Sequence, residues 1–98
     1  MKYKLVYLPK SLEDRTAIRD YLSQFYPGTA KKFFTMLRKS NARLRDFPLS
    51  CPIYEDNPKY RKLVVGDYLV FYTVNEDAKL IEIRRILHGS RSITVEQL

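Results

Sequence analysis

Two turn signals divide the stretch from Tyr60 to Ile93 into three strand-forming parts, and few folds accept that pattern. Gly66 and Asp67 make the first break, and Asn75 to Ala78 the second. Between them Tyr68 to Val74 is almost wholly β-branched or aromatic, the composition of a strand. Arg61, Lys62 and Val65 precede the first turn, and Leu80 to Leu87 follows the second. Tight turns between such runs specify an antiparallel meander. The third run leaves the sheet through Arg84, Arg85, His88, Gly89, Ser90 and Arg91, a basic and polar exit where chemistry is expected.

Alternation along that third run assigns its faces. Residues 80, 82, 84, 86 and 88 share one face, and residues 81, 83, 85 and 87 share the other. Ile81, Ile83 and Leu87 are expected to face the core, which sends Arg84 and His88 to the open face. Arg85 then points inward unless the strand bends or twists at its end. The alternative use for Arg85 is an ion pair with Glu13, Asp14 or another acid.

The residues before the meander read as a strand and two helices. Lys2 to Leu8 alternates polar and apolar positions and is closed by Pro9. Ser11 to Asp14 has the spacing of a capping box. Ile18, Tyr21, Leu22 and Phe25 then fall on one helical stripe. Pro27 and Gly28 break that helix, and Thr29 is expected to cap a second one, whose stripe is Ala30, Phe33, Phe34, Leu37 and Leu44, ending near Asp46. Residues 47–58, FPLSCPIYEDNP, carry three prolines and no periodicity, so they form an extended connection. The order predicts one α+β domain over residues 1–98: an N-terminal strand, a helical hairpin, then a three-stranded antiparallel meander. The helices pack on one face of a mostly antiparallel sheet, and the other face is expected to be free for a ligand.

Charge narrows the partners. Lys and Arg number 18 against 11 acids, a net charge of +7, which favours polyanionic or acidic partners over neutral ones. The second helix holds Lys31, Lys32, Arg38, Lys39, Arg43 and Arg45 against the single acid Asp46. It is read either as a phosphate-facing helix or as the solvated back of an amphipathic one. One cysteine, Cys51, and one histidine leave no internal disulfide and no common zinc set, so neither metal nor cofactor is expected. Cys51 lacks a nearby base and is read as structural. No long apolar run exists and the opening MKYKLVYL is interrupted, so a cytoplasmic protein without a membrane partner is expected.

Taken together, the strand and helical hairpin, LRDFP at the end of the second helix, YRKLVVGDYLVFYTV and IEIRRILHGSRSI resemble the RelE/ParE superfamily of toxins from type II toxin-antitoxin modules. The resemblance spans nearly the whole chain. It implies a small growth-arresting toxin made beside an acidic antitoxin that wraps it and blocks its working surface. RelE-like members cut messenger RNA on the ribosome, and ParE-like members poison DNA gyrase. The fold does not choose between them.

Metal-free cleavage through the ribose 2′-hydroxyl needs a proton acceptor, cations for the phosphate and an acid for the leaving oxygen. The expected catalytic set is His88, Arg84 and Arg91, with Arg61, Lys62, Arg85, Lys31 and Lys32 holding RNA. The RNA-cleaving relatives carry a GxYR pattern on the middle strand, whereas this chain reads Gly66, Asp67, Tyr68, Leu69. It also lacks the tyrosine that several of them place near the C-terminus, and RILHGSRSI is similar to the strand ending of ParE-type members. His88 is thus either a catalyst or a hydrogen-bonding residue at a strand end, and Tyr68 and Tyr72 are read as core rather than base-stacking. The leading expectation is ribosome-dependent cleavage of messages, with the ribosome and mRNA as partners. The alternatives are ParE-type, non-enzymatic inhibition of gyrase, or a degenerate toxin that only binds its antitoxin.

Overall fold

A computed structural model describes residues 2–91 and 93–98; Met1, and Ser92 within the quoted ending, lie outside the described residues. The meander forms where its turns place it, as β2 (Arg61–Val65), β3 (Tyr68–Asn75) and β4 (Leu80–His88), each antiparallel to the next. The N-terminal strand β1 (Lys4–Tyr7) joins the far side of β4 in parallel, giving the order β1-β4-β3-β2. Between β1 and β2 run α1 (Pro9–Leu22) and α2 (Thr29–Asp46).

The helix starts differ from the sequence expectation. Pro9 ends β1 and also opens α1, because a first-turn residue has no use for its missing N–H. Ser11 is therefore inside the helix rather than capping it; its buried hydroxyl donates back to the Leu8 carbonyl at 2.7 Å. Gly28, with a φ of +90°, occupies the position before α2 that Thr29 was expected to fill.

Gly66 likewise turns the chain between β2 and β3 at a φ of +57°, and a Cβ built on it meets Met36 Cε at 3.3 Å. Gly66→Ala is expected to cost at least about 1 kcal/mol of stability, measured by urea unfolding, with the left-handed backbone as the main cause.

One core lies between the helices and the sheet. Ile18 from α1 and Phe33, Leu37 and Leu44 from α2 pack on Leu63, Val70, Tyr72, Ile81 and Ile83 of the strands. The α2 stripe is the expected one. The α1 stripe is not: Leu22 is half-buried, and Tyr21 and Phe25 are each 53% exposed, Phe25 lying beyond the helix end. Arg15 spans the junction, its guanidinium 4.6 Å from the centre of the Tyr7 ring. The Tyr72 hydroxyl is buried and donates to the Pro48 carbonyl at 2.9 Å. Burial, aided by the Cys51 side chain, pushes its pKa above the ordinary tyrosine value. No helix among the described residues is long and apolar enough to cross a membrane.

A β-bulge breaks the alternation on which the face assignment of β4 rested. Tyr72 sits opposite Ile83 and Phe71 opposite Arg85, so Arg84 is the extra residue. Beyond it the parity reverses. Ile86, opposite Val70, faces the helices, while Leu87, opposite Leu69, turns to the second face. The middle of that face is covered, where the whole of it had been expected to be free. Phe71 is fully buried there with the Tyr54 ring edge-on at 5.2 Å, and Leu87 is only 2% exposed. The 47–58 connection folds back to supply Tyr54, and Tyr54 N–H donates to the Tyr60 carbonyl at 2.8 Å.

Candidate functional site at the end of the sheet

The exit from β4 is a tight turn held by its own backbone. Gly89 N–H donates to the Asp67 carbonyl at 2.8 Å and Arg91 N–H to the His88 carbonyl at 3.0 Å. His88 closes the strand opposite Tyr68, with the two rings edge to face at 5.1 Å, and Tyr68 packs in turn on Phe33 at 5.0 Å. Because of the bulge His88 is on the helix side of the sheet, where alternation had placed it on the open face. Burial first, then the neighbouring Tyr21 phenol and Asp67 carboxylate, raises the Tyr68 pKa above the ordinary value.

The His88 imidazole is exposed but oriented. Ser90 N–H donates to Nδ1 at 3.1 Å, and Ser90 Oγ lies 2.7 Å from the same nitrogen. A backbone N–H can only donate, so this network makes Nδ1 the acceptor and puts the proton of the neutral ring on Nε2. In that tautomer Nε2 is a donor rather than a free base. A proton-abstracting role for His88 would first require breaking the Ser90 contact.

The expected arginines mostly have protein partners. Arg84 at the bulge donates from Nε to Thr73 Oγ1 and from Nη2 to Glu82 Oε1, both at 3.2 Å. Arg85 forms a fork with Asp14, Nε to Oδ2 at 2.7 Å and Nη2 to Oδ1 at 3.0 Å, and also donates to the Gln97 carbonyl. Asp14 Oδ2 accepts in addition from Ile86 N–H at 2.9 Å, satisfying the edge of β4 where β1 has ended. The Asp14 hydrogen bonds, working against burial, raise the Arg85 pKa. Of the two readings of Arg85, the ion pair is the one the fold uses.

Arg61 donates to the Cys51 carbonyl at 2.6 Å and so pins the connection to β2. It sits opposite Tyr72, four positions along β3 from the partner of His88. That separation is about 13 Å along the strand, with β3 lying between them. Lys62 pairs with Phe71 and belongs to the second face. Only Lys31 and Lys32, exposed on the first turn of α2, share an end of the molecule with His88 and Arg91, because Phe33 beside them packs on Tyr68. The expected eight residues thus separate into a group at the tip (His88, Arg91, Lys31 and Lys32), three arginines held by protein partners, and Lys62 on the second face.

Sequence reasoning missed the aromatic side chains at the same end. Tyr26 is 83% exposed in the loop after α1, next to the half-exposed Tyr21 and Phe25. The available signal was the position of Phe25 and Tyr26 directly before Pro27 and Gly28, outside any helix that could bury them.

Comparison with known proteins gives a consistent family. Residues 5–93 match the ParE toxin of type II toxin-antitoxin system, parDE. Toxin RelE2 of Caulobacter vibrioides is 31% identical over 88 residues, covering 90% of this chain and 97% of that protein. The fold superposes on that of the chromosomal ParDE TA system from P. aeruginosa with a TM-score of 0.72 at 22% identity, over 89% of this chain and 96% of that one. It superposes on the intact E. coli RelBE toxin-antitoxin complex with a TM-score of 0.64 at 13% identity, over 91% and 99%.

Proposed function

Because the chain belongs to the ParE toxin family of type II toxin-antitoxin systems, we propose that it arrests growth by gripping DNA gyrase rather than by cutting messenger RNA. The observation that carries this reading is the engagement of its arginines. Arg61, Arg84 and Arg85 donate to the Cys51 carbonyl, to Glu82 and to Asp14. Transferring them to a phosphate would break contacts that hold the fold. Leu69 supports the same reading, standing where RNA-cleaving relatives carry arginine, and so does the occupied Nδ1 of His88.

In this account the toxin acts in the cytoplasm and is neutralised by a cognate antitoxin. An acidic, initially flexible segment that orders itself on the +7 chain fits its charge. Their affinity falls as salt rises. A second reading, message cleavage on the ribosome, is favoured by the grouping of His88, Arg91, Lys31 and Lys32 at one end of the molecule.

The deciding experiment adds purified protein to gyrase with relaxed plasmid and, separately, to ribosomes carrying message. Blocked supercoiling with intact message is the expected result. Cut message with normal supercoiling overturns the proposal.

A further inference from the structure

The aromatics at the hairpin tip keep at least half of their surface in solvent. Tyr26 keeps 83% of its surface in solvent and Phe25 keeps 53%, both in the loop between α1 and α2. Tyr21, on the last turn of α1, packs edge to face on Phe25 at 5.1 Å and 74°. Its phenol is close enough to act on Tyr68, whose ring meets that of His88, so the tip adjoins the end of the sheet. A solvent-exposed ring pair followed directly by the exposed Tyr26 is the kind of surface that marks an interaction site, and tyrosines in particular concentrate binding energy.

The charge around the patch selects the partner. Lys31 and Lys32 open α2 beside it, and Arg19 reaches only the highly exposed Asp20, at 3.7 Å. The proposed target is a protein, and the lysines suit a protein surface bordered by carboxylates.

We infer that Tyr21, Phe25 and Tyr26, flanked by Lys31 and Lys32, form the surface by which this toxin docks on an acidic patch of its protein target. This deepens the proposed function and rests on it.

The test compares the wild-type chain with Phe25→Ala/Tyr26→Ala and with Lys31→Glu/Lys32→Glu. It uses thermal melting, growth arrest on induction, inhibition of gyrase supercoiling, and binding to a single-stranded DNA oligonucleotide. Both variants are expected to melt within a few degrees of wild type, since the changed side chains are exposed. Their inhibitory concentration is expected to rise at least about tenfold, with arrest weakened to match.

Arrest and inhibition at wild-type potency in the aromatic variant overturn the inference while leaving gyrase as the target. If the wild-type chain does not inhibit gyrase, the target assignment fails separately, and loss of arrest in the variants still supports the docking surface. Oligonucleotide binding that is tight in the wild type and lost in both variants overturns the choice of a protein partner.

Discussion

Asp14→Ala is expected to lower the unfolding free energy by about 3–5 kcal/mol, the cost of leaving a mostly buried charge without its partner. The Arg85 and Asp14 side chains are only 15% and 14% exposed, so little solvent screens the fork. The substitution also orphans Ile86 N–H, which belongs to the bulged part of β4 and has Asp14 as its acceptor. Asp14→Asn keeps one acceptor oxygen and loses less. An apolar pair, Asp14→Leu with Arg85→Met, is expected to recover part of the loss, because it removes the unpaired charge itself. Urea unfolding of the four proteins measures this. A loss below about 1 kcal/mol in Asp14→Ala contradicts the bridge's role, since that is the scale of an exposed pair.

Phe71→Ala is expected to cost a similar amount, about 3–5 kcal/mol, through the cavity it leaves. The side chain is fully buried although it points away from both helices, and Tyr54 from the connecting segment is its aromatic neighbour. Tyr54→Ala is expected to lose less, being partly exposed. The two losses should fall short of additivity by about 0.5–1.5 kcal/mol, the usual coupling of an edge-to-face pair. If Phe71→Ala behaves like a surface substitution, the second face is open and a ligand has room there after all.

These two predictions concern places where the sequence was harder to read. The meander itself was legible, because its turns and its β-branched runs are local signals: β3 and β4 end within one residue of the expected limits. The α2 stripe was legible for the same reason, since Phe33, Leu37 and Leu44 sit at helical spacing and are all buried. Arg84 was not. A bulge adds one residue to one strand, and nothing within IEIRRILH marks which residue is the extra one. The reversal of Ile86 and Leu87, and the side taken by His88, followed from that single insertion.

Position within the tertiary structure decided the remaining cases. Ser11 and Asp14 have the spacing of a capping box, but Pro9 had already started the helix, which left Asp14 available for Arg85 across 71 residues of sequence. Arg85 was legible only as a choice between two uses. Tyr21 and Phe25 match a buried stripe by spacing alone, yet each is half exposed, because α1 ends at Leu22 and Phe25 falls in the loop. The candidate site was readable in its residue types and less so in its grouping, because the partners of Arg61 and Arg84 depend on how the 47–58 connection and the bulge fold.

The central claim is that the toxin acts by binding and not by cleavage at His88. The most direct test is to induce the chain alone, with His88→Ala in parallel, and map the 5′ ends of cellular messages. The account predicts growth arrest with both proteins and no new ends inside translated codons. Codon-internal cuts that appear with the wild-type chain and vanish with His88→Ala would contradict it.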